Sequence, residues 1–250
     1  MMFELPAMVF AAGLVFARLG AILMLMPGFG EPSIPPRIRL SFALLVALVM
    51  GPVIAPLLPP MPERPLAMAS IVLSEVLVGL MIGAIGRLFM STAAVAGQVI
   101  GQQSGLAMAQ NFDPSQGRQG ALIATFLNLT FMVLLFATNT HHLLLQTAAH
   151  SYMVFPAGEF PATAETAQWA ARAFSEAFRI GIQLAAPLIV FGLVFYMAMG
   201  ILARMMPQLQ IFFIAMPANI MVGLFILAIS LGAMSGVWLT RMQSFATDLI

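Results

Sequence analysis

Between Arg118 and Glu159 the sequence carries no Asp, Glu, Lys or Arg, and most of the remaining chain consists of similar apolar runs separated by proline-rich breaks. This feature constrains the fold more than any other, because a chain without ionised side chains cannot cover its own surface in water. Charged residues make up 8% of the 250 and hydrophobic ones 61%, with a mean hydropathy of +1.01. A soluble domain carries roughly 25% charged and about 45–50% apolar residues. Soluble enzymes and nucleic-acid binders are therefore poor candidates, and the chain reads as an integral membrane protein.

A membrane-crossing helix needs about 20 mostly apolar residues, since the hydrocarbon layer is about 30 Å thick and a helix rises about 1.5 Å per residue. Leu5 to Met26 satisfies this with Arg18 as its only charge, and Pro27-Gly28-Phe29-Gly30 breaks the run. The stretch after Met1 is too long and lacks the basic flank expected of a secretory signal, so it reads as a retained first span. Leu40 to Leu58 is the second run, and Pro59, Pro60, Pro62 and Pro65 form a stiff connector. The third starts near Leu66 and passes Met90, interrupted by Glu75 and Arg87. Ala121 to Ala137 is the best fourth span. From Thr163 to Arg179 the residues Trp169, Ala170, Ala173, Phe174, Ala177 and Phe178 recur at helical spacing, predicting an amphipathic helix. It leads directly into a fifth span, Ile180 to Ala203, and Ile211 to Leu239 is the sixth. The expected fold is an all-α membrane protein of about six long, partly bent hydrophobic helices.

All ten basic residues are Arg, there is no cysteine, and the net charge is +1. Disulfides and thiolate chemistry are thereby excluded. Arg37, Arg39, Arg118 and Arg204 lie on one set of loops and Arg64, Arg172, Arg179 and Arg241 on the other, so positive charge does not orient the chain. His141, His142 and His150 sit in the charge-free run and read as interface histidines rather than metal ligands. No arrangement of nucleophile, base and orienting group stands out, and no phosphate-binding glycine loop is present. The sequence offers no catalytic, metal or cofactor site.

Three features remain. Arg18, Glu75 and Arg87 are charges inside apolar runs, and Gln98 and Gln102 lie just beyond the third. An intramembrane charge demands a buried partner or a wet cavity; Glu75 and Arg87 are open to three readings, a transport site, a contact between subunits, or a span end from which the side chain snorkels to water. Second, Ala93, Gly97, Gly101, Gly105 and Ala109 repeat every fourth residue. If helical, they form a bare strip against which another backbone can pack closely; the alternative is a flexible linker. Third, Gly105, Leu106, Ala107, Met108, Ala109, Gln110, Asn111, Phe112, Asp113 and Pro114 bring deformable apolar side chains to a helix-ending Asp-Pro. Such a segment suits the stopper of a channel, because Met and Phe fill irregular gaps and exclude water.

Taken in order, these residues resemble the FliR family of flagellar type III export-gate subunits. The resemblance rests on Arg18-x-Gly20 with the Pro27-Gly28-Phe29 break, and on Pro36 with Arg37 and Arg39. It continues through Glu75-x3-Gly79-x3-Gly83, the stretch Ala96 to Gly105, Asp113-Pro114, and His142 and Ser151 leading to Pro156-x-Gly158. Pro187, Met206-Pro207-Gln208-Leu209-Gln210, Pro217 and Gly223 complete it. The resemblance implies assembly with FliP- and FliQ-like proteins into a gate, with FlhA- and FlhB-like neighbours and unfolded flagellar subunits as cargo. It implies one 250-residue unit in which residues 1–160 resemble a FliP subunit and 161–250 a FliQ helical hairpin. The loop from Gly105 to Pro114 becomes the plug, Ala93, Gly97, Gly101 and Gly105 the close-packing strip, and Arg18, Glu75, Arg87, Gln98 and Gln102 the buried polar or intersubunit residues. The implied location is the bacterial inner membrane, within the flagellar basal body and raised toward the periplasm. The alternative reading of the residues alone is a small-solute secondary transporter, for which a midplane site and an internal repeat are expected; no convincing repeat is seen.

Overall fold

A computed structural model describes residues 5–106, 122–160, 163–208 and 211–247, and every regular element among them is helical. Helix α1 spans Leu5–Leu25, α2 Pro36–Ile54 with a 3-10 turn at Ala55–Leu57, and α3 Pro65–Gln103. Helices α4 (Leu122–Ala137), α5 (Thr140–Val154), α6 (Thr163–Met205) and α7 (Ile211–Thr247) follow. Five helices are long and apolar enough to cross a membrane, or six if α4 and α5, bent by 77° at their junction, count as one span.

The proline and glycine punctuation sets most boundaries. Pro36 opens α2 at a position where its missing N–H costs nothing. After α1, Gly28 adopts φ +86°, and a Cβ there would stand 2.8 Å from Phe136 Cζ. That turn places Phe29 in a stack on Phe42 with ring centroids 5.2 Å apart. Between α4 and α5 the chain turns at Asn139, whose φ of 58° is a left-handed conformation that Asn tolerates better than most side chains.

Three differences from the sequence reading have local causes. Residues 91–103 do not separate from the third run; they extend α3 to 39 residues, because Ala, Gln and intermittent Gly still permit a helix when one side is packed. Helix α5 falls inside the uncharged stretch, where weak amphipathicity hides its boundary. On α6, Phe174 and Phe178 point outward rather than into the chain, while Ala177 between them is buried. The aromatic ridge of that amphipathic segment is thus presented to whatever surrounds the protein.

The chain forms two compact units interleaved along the sequence. Unit 1 comprises residues 1–89, 135–175 and 242–250. Within it, α1 packs on α2 and α5, and its face Leu14, Val15, Leu19, Ile22 and Leu23 is fully buried. Gly79 and Gly83 of α3 lie directly on α1: a Cβ at Gly79 would stand 2.7 Å from Ala21 Cβ, and one at Gly83 would stand 2.9 Å from Leu25 Cβ. Thr147 of α5 donates to Ala246 O at the end of α7, 3.1 Å away. Unit 2 comprises residues 90–134 and 176–241. Its core holds Trp238 stacked on Phe131, with centroids 4.7 Å apart, together with Ile100, Leu127, Ile180 and Leu184.

Candidate functional site

Unit 1 contains a buried charge pair. Arg18 of α1 and Glu75 of α3 both have 0% exposure, and the guanidinium grips the carboxylate with two hydrogen bonds. Nε donates to Oε2 at 2.7 Å and Nη2 to Oε1 at 2.9 Å. Nη1 donates to the carbonyls of Ser151 and Phe155, at 3.1 and 2.8 Å. These lie in the last turn of α5 and just beyond it, where the negative end of the helix dipole favours a cation; Ser151 O also accepts from the Phe155 amide at 2.9 Å. The Gly158 amide donates to Glu75 Oε1 at 2.9 Å. The Arg18 guanidinium carbon lies 4.1 Å from the centre of the Tyr152 ring.

The local sequence explains how a carboxylate on a short stem reaches this point. Glu75, Gly79 and Gly83 are four residues apart and share a face of α3. The two glycines remove the side chains that would hold α3 away from α1, so Glu75 reaches Arg18 directly. Every charge in the cluster is matched, and α1, α3 and the stretch from Ser151 to Gly158 are tied to one point. The cluster links α1, α3 and the end of α5 inside unit 1. Arg18 and Glu75, expected as buried polar or intersubunit residues, are thus buried and partnered within the chain. Arg87, in contrast, is exposed on this chain, as are Gln98 and Gln102.

In unit 2 the four-residue strip falls into three situations. Ala93 is buried, and Gly97 approaches α4 so closely that a Cβ would collide with the Ala124 backbone. Gly101 is itself buried, yet a Cβ there would meet no atom beyond its own stretch of helix within 4 Å. Gly105 lies past the end of α3 with φ +73°, the left-handed conformation that commonly closes a helix. Of the expected plug, Gly105 is buried and Leu106 half-buried; Ala107, Met108, Ala109, Gln110, Asn111, Phe112, Asp113 and Pro114 lie outside the described residues, as does Ala109 as a member of the strip.

Sequence reasoning missed Asn219 of α7, which is 3% exposed and whose Nδ2 donates to Gln103 O at 3.3 Å. Its signal was present as a lone amide two residues after Pro217 in a long apolar run. Tyr152 and the Phe155 carbonyl were also missed, since contacts more than a hundred residues apart leave no local pattern. The rings of His141 and His142 lie 4.1 Å apart. Among the described residues no group of three His, Cys, Asp or Glu could hold a metal ion.

Comparison with known proteins covers nearly the whole chain. Residues 9–245 match the family described as bacterial export proteins, family 1. The flagellar biosynthetic protein FliR of Caulobacter vibrioides is 43% identical over 233 residues, which is 93% of each chain. FliR of Bacillus subtilis is 31% identical over 86% of this chain and 84% of its own. The Yop proteins translocation protein T of Yersinia pestis is 31% identical over 57% of this chain and 56% of its own. With a matched family spanning all seven helices and a relative that covers almost the entire sequence, this chain belongs to the FliR family of bacterial export proteins.

Proposed function

We propose that this protein is a non-enzymatic subunit of the flagellar type III export gate, one wall of a passage for unfolded flagellar subunits. It is a membrane-embedded component of the export apparatus. In this reading FliP- and FliQ-like proteins complete the wall, residues 1–160 take a FliP-like place and 161–250 a FliQ-like place, and FlhA- and FlhB-like proteins adjoin it in the bacterial inner membrane.

The observation that carries the reading is the outward face of α3 in unit 2. Gln98 and Gln102 are one turn apart on a helix of membrane-spanning length, and both are exposed on the single chain. A primary amide placed in hydrocarbon without partners costs roughly 4–8 kcal/mol. Two such groups in adjacent turns are poorly suited to lipid tails and well suited to the polar groups of a neighbouring subunit or to a wet passage. Gly101 beside them is buried, yet a Cβ there would meet no atom beyond its own stretch of helix within 4 Å. Arg87 is exposed on the unit 1 part of the same helix, where a charge facing lipid would carry a similar penalty.

The plug belongs to the same reading. Leu106, Met108 and Phe112 would fill the narrowest zone of the resting passage, their flexible apolar side chains excluding water and ions without a rigid fit.

The test is co-expression of the tagged chain with FliP- and FliQ-like proteins of the same organism, followed by purification. A stable hetero-oligomer is expected. Recovery of the chain alone, with solute transport by that purified chain, would replace the gate with a transporter.

A further inference from the structure

Helices α1, α2 and α5 of unit 1 border an apolar groove that the chain itself does not fill. Leu19 and Leu23 of α1 form its floor, Val46 and Met50 of α2 one wall, and Leu145 and Ala148 of α5 the other, around a volume of about 300 Å³. The local sequence explains the gap. The α5 wall is built partly from alanine, whose short side chain does not reach across to α2. A void lined by hydrocarbon offers water no hydrogen-bond partners, so in a membrane it is filled by hydrocarbon.

The α2 wall leads to a positive charge. Steps of seven and eleven residues along an α-helix return to within about 20° of the starting direction, so Arg39, Val46 and Met50 share one face of α2. From Arg39 to Met50 the helix rises about 16 Å. Arg39 is half-buried; its Nη1 donates to Gly30 O at 3.3 Å, and its Nε is shielded without a partner. Arg37, two residues earlier, is exposed. Glu31 is the only acidic residue between residues 5 and 62, and no ion pair among the described residues includes Glu31, Arg37 or Arg39. The first turn of α2 holds no acidic residue, although a helix N-terminus is the positive end of its dipole and favours one. Two arginines there, with no carboxylate set against them, leave a charge that calls for an anion from outside the chain.

We propose that this is a binding site for an anionic phospholipid: Arg37 and Arg39 hold the headgroup phosphate, and one acyl chain runs along α2 into the groove between α2 and α5. A ligand with an anion at one end and a flexible hydrocarbon tail meets both halves. Inorganic phosphate would satisfy the arginines and leave the groove unfilled, and a zwitterionic lipid would bring its own cation to them. The bound phosphate fixes the start of α2 at headgroup level. The inference rests on the membrane location of the chain and not on the gate reading.

The test uses the complex purified from cells and reconstituted into nanodiscs. The probes are phosphatidylglycerol and phosphatidylcholine, each with a diazirine near the middle of one acyl chain, titrated into an unlabelled phosphatidylcholine bilayer. After illumination the labelled peptides are mapped by mass spectrometry. Phosphatidylglycerol is expected to label α2 around Val46 to Met50 and α5 around Leu145 to Ala149, and phosphatidylcholine far less. The double variant Arg37→Gln, Arg39→Gln should need about thirtyfold more phosphatidylglycerol for the same labelling, the loss expected when two arginines near an anionic headgroup are removed. Ala149→Phe fills the groove and should abolish labelling there. Soluble glycerophosphoglycerol in excess should not displace the lipid, because it has no tail.

Equal labelling by the two lipids, or labelling that the double variant leaves unchanged, would overturn the headgroup site. Unchanged labelling in Ala149→Phe would place the tail elsewhere and overturn the groove. An assembled complex that takes label from neither lipid would mean that a neighbouring protein covers this face, and displacement by glycerophosphoglycerol would reduce the site to the arginines; both overturn the proposal. Should the double variant fail to accumulate, because Arg39 also ties the turn at Gly30, Arg37→Gln alone supplies the comparison with a shift of about fivefold. The wild type decides between the two lipids without any variant.

Discussion

Arg18 and Asn219 are both polar side chains buried among apolar helices, but the two units treat them oppositely. In unit 1 the Arg18 guanidinium meets Glu75, two helix-end carbonyls and the face of Tyr152, and Glu75 receives the Gly158 amide as well. In unit 2 Asn219 makes one bond of 3.3 Å and keeps an acceptor unmet beside a small cavity. A saturated polar cluster has one good arrangement, and every departure from it strands a charge. A partly satisfied one has less to lose by moving. The contrast therefore divides a saturated cluster from a partly satisfied one, and the second lies where α3 ends.

The strongest way to break the comparison is Glu75→Ala. Removing one partner of a buried pair strands the other charge, at a cost of about 3–5 kcal/mol. Unit 1 should lose protease resistance in membranes and the protein should fall below detection by immunoblot; normal levels would show that the pair is dispensable. Replacing Arg18 and Glu75 together by apolar residues should recover part of the loss, because no charge is then stranded.

Next in size is a test within the four-residue strip. Gly97→Ala drives a methyl into the α4 backbone and should destabilise by about 1–3 kcal/mol, seen as a lower melting temperature in detergent. Gly101→Leu should lower the isolated chain's melting temperature less than Gly97→Ala does, since a Cβ at this buried position meets no atom beyond its own stretch of helix within 4 Å. It should also block incorporation into the complex, because the space is then needed by a neighbour. Normal incorporation of Gly101→Leu would move the subunit contact away from this face.

A smaller effect is expected at Asn139, where the left-handed backbone joins α4 to α5. Asn139→Ala should cost about 1–2 kcal/mol, and Asn139→Gly should cost less. Equal melting temperatures for both variants would mean that the turn, unlike the Arg18 cluster, has freedom to adjust.

How much of this was legible beforehand follows the range of the interactions involved. The helical class and the breaks at Pro27-Gly28 and Pro65 were visible because composition and proline chemistry act within a few residues, whereas α2 begins at Pro36, four residues before the apolar run at Leu40 that marked it. The extension of α3 through Gln103 was less visible, since Ala and Gln are compatible with both a helix and a loop until something packs against them. Glu75 was recognised as anomalous, but its partner Arg18 lies 57 residues away and only the glycines at 79 and 83 hinted that two backbones meet there. Asn219 was passed over for the same reason: its importance depends on the end of a helix more than a hundred residues earlier. The strip at Ala93 to Gly105 reads in sequence as one surface, whereas in the fold Gly97 meets a neighbouring helix, Gly101 is buried without a close contact beyond its own helix, and Gly105 closes the helix end.

The most direct measurement uses the absence of cysteine from this chain. A single Gln98→Cys or Gln102→Cys variant, expressed with FliP- and FliQ-like proteins and treated with a short thiol-to-amine cross-linker in membranes, reports what covers that face of α3. A defined cross-link to one of those subunits is predicted, lost when Gly101→Leu is added. Cysteines that cross-link to no protein and react freely with a lipid-soluble thiol reagent would mean that the face lies against lipid, and the gate-wall account would be wrong.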